Sequence, residues 1–437
     1  MSLYSETFYA DAVNRMFSDT QSIAYLLQVE AALAQAQADL GIIPKEAAAV
    51  ITASCKVDFI DANKLKEEVV LGGNVAIPLV QQLTKVIKNV DFEASKYVHY
   101  GATSQDIIDT ATVLAIKDYM SWLEGKLTAL ESALVALTKE HKHTLMIGRT
   151  LLQQAKPITF GLKTAGWLRS VSYAKNRLQK LTSGLFKIQL GGAVGSGNAG
   201  ITTSVQEKCA EILGLSPAFP WQADRSSLVD FASALGVLSG SLGKIAKDIS
   251  LMMQTEIAEA YEGAAEGKGG SSTMPHKRNP VTCALILSNS TRTPGLVSTM
   301  LSAMVQEHER SAGYWHAEWE TLTQLMGLTA GSLEKSVDLI QNLEVQPEHM
   351  LRNIEMTGGL IYAEKVSLHL SKSIGRMQAH EAVKKACKTA LAEKRHLKEV
   401  VQEAFPDIAD LEALFQPENA IGHSVEWVEE ILKKYSS

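Results

Sequence analysis

The sequence predicts an all-α protein, an elongated three-domain helical chain around a central bundle of long helices. Three observations carry that expectation. Apolar residues recur at helical spacing along most of the 437 residues, so amphipathic helices dominate. Several of these stretches run well beyond the about 10–14 residues of an average helix. Strands and helices do not alternate, and residues 188–190 are at most one short strand. Each long helix needs several partners to cover its apolar faces, which implies a bundle extended by other subunits.

The elements follow in order. Residues 21–39 alternate apolar and polar at helical spacing and are rich in alanine, and Gly41 and Pro44 terminate them. A long helix is expected from about 106 to 141. Another is expected from Pro157, a favourable first-turn residue, to about 186. A third is expected from Ser227 to about Tyr261, with Ser227-x-x-Asp230 as a variant capping box. Residues 231–243 within it carry no charge, but Lys244, Lys247 and Asp248 follow at once, so a buried bundle helix is expected and not a membrane span. Two more helices are expected over 281–305 and 321–342. Domain boundaries fall beside the Gly-Ala-Thr-Ser turn, near Asp109, and near Asn342, ahead of Glu344-Val345-Gln346-Pro347. The domains are therefore 1–109, 110–342 and 343–437.

Composition narrows the function. Hydrophobic residues make up 46% and charged residues 21%, the balance of a soluble globular protein. A net charge of -6 argues against non-specific nucleic-acid binding, while leaving room for local cationic sites. The four cysteines, Cys55, Cys209, Cys283 and Cys387, are widely spaced, which points to neither a zinc site nor a disulfide framework. No metal and no cofactor are expected. Residues 1–10 lack a basic region leading into an apolar run, so no secretory signal is read there and a cytoplasmic location is expected.

The loop Gly269-Gly270-Ser271-Ser272-Thr273-Met274-Pro275-His276-Lys277-Arg278-Asn279-Pro280 is the most informative segment. Glycine, serine and threonine make it rich in exposed backbone N–H groups, Lys277 and Arg278 add charge, and the prolines separate it from the flanking helices. Such a loop suits a lid over a small anion, although glycine and serine runs also serve as plain linkers. The string resembles the signature loop of the fumarase/aspartase superfamily, which carries the base for elimination chemistry. His276 directs the resemblance to the branch that holds adenylosuccinate lyases and carboxymuconate cycloisomerases.

Three further segments extend the resemblance over nearly the whole chain. In His99-Tyr100-Gly101-Ala102-Thr103-Ser104-Gln105-Asp106, Thr103-x-x-Asp106 reads as a capping box, and a helix start also attracts anions. The resemblance implies that Thr103 and Ser104 bind a substrate carboxylate and that His99 lies in the site. Gly148-Arg149-Thr150-Leu151-Leu152-Gln153 is similar to the superfamily's second region, and there Gln153 is implied to bind substrate. Leu151 departs from the pattern: many of these lyases carry a histidine at that place, implicated as the acid for a departing nitrogen. The third segment runs from Gln306 to Glu320 and includes Arg310, a side chain suited to bidentate carboxylate binding, and Trp315-His316-Ala317-Glu318-Trp319, which also reads as an aromatic cluster packing at a helix start.

Leucine cannot donate a proton. Either another group does so, with His99 the candidate, or the leaving group needs none. The second option is favoured, because a carboxylate leaves readily as an anion, its acid having a pKa of about 4, whereas an amine does not. The resemblance then implies a lactonising cycloisomerase acting on a 3-carboxy-cis,cis-muconate-type polycarboxylate, with adenylosuccinate lyase as the alternative and a catalytically inactive bundle as a third. It implies Ser271 as proton carrier, Lys277 and Asn279 on the enediolate, and a homotetramer whose sites draw on three chains. Gly195-x-Gly197-x-x-Gly200 is read as a tight turn, since a dinucleotide fold needs the missing parallel strands. No nucleic acid or membrane partner is expected.

Overall fold

The computed structural model describes residues 5–264, 269–270, 274 and 277–435. Among these the fold is all-α apart from two two-stranded ribbons. Five long helices dominate: Ser104–Glu140, Phe160–Leu185, Ser226–Met252, Val281–Ala303 and Tyr314–Gln341. Their buried residues repeat every three and four positions. In Ser226–Met252 they include Leu228, Phe231, Leu235, Leu238, Leu242 and Ile245, with Val229, Ala232, Ala246 and Ile249 beside them, an apolar face wider than an a/d seam, as on a helix buried inside a bundle. Ser226–Met252 is also the one described helix long and apolar enough to cross a membrane, but 61% of its apolar window is buried inside the fold, as in the core of a soluble protein.

The chain divides into two compact units. The first comprises Met1–Leu127, Ala174–Gly240 and Ser288–Glu334. Its core gathers the Asp19–Asp39 helix, the short helices that follow, and residues from 107–115 and 188–215. Ser18 caps Asp19–Asp39, its Oγ accepting from the Gln21 N–H at 3.3 Å, and Gly41 ends the helix in the left-handed region, as the sequence leads one to expect.

The second unit comprises Thr128–Tyr173, Ser241–Leu287 and Lys335–Ser437. It contains a hairpin of Leu145–Thr150 paired with Gln153–Thr159 and a C-terminal core around Ile354, Tyr362, Val366, Leu397 and Phe415. Four expectations are corrected. Pro157 does not open a helix. It pairs with Ile147 in the hairpin, and the helix begins at Phe160. The helix expected to reach Tyr261 stops at Met252. The chain turns at Ala258 (φ 51°) and delivers Ala260–Tyr261 to a ribbon with Glu344–Val345. The preceding helix end is likewise capped by Asp224, which accepts from the Ser226 N–H at 3.0 Å, and not by a Ser227 box. Last, the helix expected from Thr321 begins at Tyr314, where Ser311 Oγ accepts the Tyr314 N–H at 3.3 Å.

A buried ion network lies in the first unit. Arg225 donates to Asp109 through Nη1 at 2.7 Å and Nη2 at 3.1 Å. It donates to Glu318 through Nη2 at 2.6 Å and Nε at 3.0 Å. All three residues are buried, and Trp315 Nε1 donates to Asp109 at 3.0 Å. Trp315 and Trp319 meet edge to face with centroids 4.9 Å apart. The tryptophan-rich segment therefore packs the start of its helix and contributes Glu318 to the network. Burial pushes the Glu318 carboxyl up, with Arg225 opposing.

Arg225→Met would strand two buried carboxylates. The expected loss is about 3–5 kcal/mol, read as a lower denaturation midpoint near neutral pH. Unpaired buried carboxylates destabilise only while charged, so the deficit should shrink as the pH falls and they take up protons. A midpoint unchanged at neutral pH would show that the network contributes nothing.

Candidate active site

The Ser104–Glu140 helix starts in an unusual way. The Thr103 N–H donates to Asp106 Oδ2 at 3.0 Å, which is half of a capping box. Asp106 is fully buried and also accepts from the N–H groups of Gly191 at 2.8 Å and Gly192 at 2.9 Å and from Gln189 Nε2 at 3.1 Å. One carboxylate thus ties the helix start to the glycine-rich segment. That segment forms tight turns, with left-handed glycines at 192, 195 and 197, as its composition predicts.

The Thr103 hydroxyl has a different partner. Its Oγ1 accepts from Arg310 Nη2 at 2.8 Å. Arg310 also donates through Nε to Gln105 Oε1 at 3.1 Å and through Nη2 to the Ala193 carbonyl at 3.2 Å. A hydroxyl offers one proton and two lone pairs. Accepting from Arg310 leaves the Thr103 proton to donate elsewhere. Ser104, the first helical residue, is half-buried beside it. The structure therefore joins Thr103 and Arg310 in direct contact, although 207 positions separate them.

His99 stands on the turn before this helix, in the left-handed region at φ 56°. Its Nδ1 lies 2.7 Å from Glu30 Oε1, and the Glu30 side chain is only 1% exposed. Burial works against the imidazolium, but the Glu30 charge and hydrogen bond, with Asp106, outweigh it, and the net shift of His99 is upward. Two turns further along the same helix, Gln37 Nε2 donates to the carbonyls of Tyr100 and Gly200, both at 2.7 Å. A Cβ at Gly101 would meet Asn198 Oδ1 at 2.5 Å, so only glycine fits between these segments. Sequence reading missed Glu30 and Gln37. Their one trace in the sequence is two polar residues seven apart on one face of an alanine- and leucine-rich helix, a pattern that reads as a solvated face.

The other candidates read from the sequence belong to the second unit. Gln153 opens the second hairpin strand and is exposed. Leu151 and Leu152 form the two-residue turn, both left-handed (φ 49° and 65°) and 97% and 80% exposed. Arg149 anchors the hairpin, donating to Glu259 through Nη1 at 2.8 Å and Nη2 at 2.7 Å, while Asn353 Nδ2 donates to the same carboxylate at 2.9 Å. In the glycine-rich loop, Ser271 and its neighbours Ser272, Thr273, Pro275 and His276 lie outside the described residues. The loop's neck is closed by the Asn279 N–H donating to the Gly269 carbonyl at 3.0 Å. Arg278 is committed to the protein itself: it donates to Glu344 at 2.8 and 2.9 Å and to the Glu262 carbonyl at 2.6 Å, and its guanidinium lies over Tyr261. Glu262 in turn accepts the N–H groups of Thr282 and Cys283 at 3.0 and 2.7 Å, stabilising a helix N-terminus. These bonds hold Arg278, which stands between Lys277 and Asn279, against the start of the next helix and the Ala260–Tyr261 ribbon. Among the described residues no group of three metal-ligating side chains comes together.

The chain has extensive relatives. Residues 6–295 match the family model described as "Lyase", and residues 359–431 match "Adenylosuccinate lyase C-terminus". The 3-carboxy-cis,cis-muconate cycloisomerase of Acinetobacter baylyi is 43% identical, covering 99% of this chain and 98% of that protein. The enzyme of the same name from Pseudomonas putida is 46% identical over 91% of this chain and 95% of its own length. The crystal structure of a 3-carboxy-cis,cis-muconate lactonizing enzyme from Pseudomonas putida superposes with a TM-score of 0.95 at 43% identity, covering 99% of this chain and 98% of that one. The chain therefore belongs to the lyase family of the fumarase/aspartase superfamily.

Proposed function

We propose that the chain is a 3-carboxy-cis,cis-muconate cycloisomerase, which closes a lactone in the catabolism of aromatic compounds. The observation that carries the reading is kinship along the whole chain, at 43–46% identity, with enzymes of that name. Leu151 supports it on chemical grounds. One carboxylate of the substrate adds through oxygen to an activated alkene carbon. The alkene electrons move onto a second carboxylate as an enediolate, and a proton is then delivered to carbon. In reverse, the carbon proton is removed and the ring carboxylate leaves as an anion. Neither direction demands a general acid at position 151.

The roles are those that the family resemblance implies. Ser271 is the proton carrier, its alkoxide stabilised by loop N–H groups and neighbouring cations. Lys277 and Asn279 stabilise the enediolate. Thr103, Ser104, Gln153 and Arg310 hold carboxylate oxygens, and His99 supplies a further charged contact. No metal or cofactor takes part. The active form is a homotetramer in the cytoplasm, with sites assembled from several chains. The exposed leucines of the hairpin tip support assembly, since large apolar side chains in a left-handed turn are disfavoured in water. Domains over 1–109, 110–342 and 343–437 complete the reading. Adenylosuccinate lyase remains the second reading, favoured by the match over residues 359–431 and disfavoured by Leu151.

An ultraviolet assay separates the two. Purified protein should bleach the conjugated-diene absorbance of 3-carboxy-cis,cis-muconate, and cleavage of adenylosuccinate alone would overturn the proposal. Ser271→Ala should lower kcat by about a thousandfold or more with the oligomer mass unchanged in light scattering; retained turnover would remove Ser271 from its role. Arg310→Lys loses the planar fork that holds Thr103 and Gln105, so KM should rise about tenfold or more. A KM equal to that of the parent enzyme would show that Arg310 does not organise substrate binding.

A further inference from the structure

Glu30 has no part in the reaction as written above, yet it is among the most deeply buried charged groups in the first unit. The helix that carries it gives Leu26, Val29 and Leu33 to the first unit's apolar core, which also takes in Ile51 and Val205. The titratable groups that face Glu30 are few. Cys55 and Cys209 feel its charge, but burial above all pushes each thiol up to about 12, so both are neutral. Asp106, on the Ser104–Glu140 helix, adds a second negative charge near His99. The bonded partner of the Glu30 carboxylate is the His99 Nδ1, at 2.7 Å. A carboxylate at this depth is tolerated only when paired, and a protonated His99 makes the pair neutral.

The geometry also orients the pair. The carboxylate end is 1% exposed and the imidazole end 18% exposed, so the cationic end faces outward. The Glu30 bond occupies Nδ1 and leaves Nε2–H as the outward donor. Gln37, on the same helix, fixes the backbone on which His99 stands through the Tyr100 carbonyl.

We propose that Glu30 is a positioning residue that holds His99 as an imidazolium at neutral pH, with Nε2–H presented to a carboxylate of the substrate. His99 then serves as a cationic anchor and not as the base or acid of proton transfer. The carboxylate-anchoring half rests on the site reading above; the ion pair itself does not. A raised histidine pKa means that the pair contributes fully below the ordinary histidine range and is lost as the pH climbs through the raised value.

Hydrogen–deuterium exchange at the imidazole C2 position, read peptide by peptide by mass spectrometry, reports the pKa of His99 in the intact wild-type enzyme. It should lie above the ordinary value of about 6.5 and should fall by about one unit or more in Glu30→Gln, because the variant keeps shape but removes charge. In the same variant KM, measured at a pH above both His99 pKa values, should rise about tenfold for each unit lost, because the imidazolium fraction there falls tenfold per pKa unit, with kcat within about twofold. A wild-type His99 that titrates at or below the ordinary value overturns the proposal without any variant. A shifted pKa with unchanged KM, or a loss confined to kcat, overturns the anchoring role. Failure of the wild-type chain to turn over carboxymuconate removes the substrate reading and the anchoring with it, whereas the exchange profile still decides the ion pair.

Discussion

The buried carboxylate of Asp106 is the constraint on which the site-bearing end of the first unit depends. A single side chain collects four donors from three places: the Thr103 N–H, the Gly191 and Gly192 N–H groups, and the Gln189 amide. It does the work usually divided between a cap and a loop anchor. Because the Asp106 N–H goes to the Thr103 carbonyl at 3.0 Å, the Thr103 hydroxyl is released from capping and can meet Arg310. Because the carboxylate also pins Gly191 and Gly192, the Ala193 carbonyl stands where Arg310 can reach it. Ion pairing is secondary here. The arrangement follows from hydrogen-bond accounting at one helix start.

The helices were legible because their period is long and uninterrupted. The expected 106–141 and 281–305 spans match Ser104–Glu140 and Val281–Ala303 to within two residues at each end. Errors arose where tertiary demands override local preference. Pro157 is a good helix starter, yet the strand opposite it, Leu145–Thr150, holds the chain extended through Thr159. The apolar pattern after Met252 continues in the sequence, but Glu259 is needed beside Arg149 and Asn353, and a helix through 259 would not present it. Neither partner is near in sequence, so no local rule could report the break.

The site was legible in a different way. Thr103, Ser104, Arg310, Lys277 and Asn279 carry chemistry that residue type announces, and their segments resemble known signatures. Glu30 and Gln37 were not legible, because on a helix of alanine and leucine two polar residues read as its wet face. The fold reverses that reading: both are buried and both are spent on the turn that carries His99. The tryptophan-rich segment reads both ways: it is part of the resemblance to the family, and in the structure Trp315 and Glu318 are committed to Asp109 and Arg225.

The partners of the arginines sort structure from function. Arg149 is bonded to Glu259, Arg225 to Asp109 and Glu318, and Arg278 to Glu344. Each of these guanidinium charges is cancelled by a carboxylate of the protein itself, so its field beyond the pair is small. Arg310 differs. Its hydrogen bonds go to a hydroxyl, an amide oxygen and a backbone carbonyl, neutral acceptors that orient the guanidinium without cancelling it. A chain of net charge -6 that handles a polyanion must hold some cations in this uncancelled state, since global charge works against the encounter. The same logic places Arg278 with the structural arginines: within its loop it is the clasp, bonded to Glu344 and to the Glu262 carbonyl.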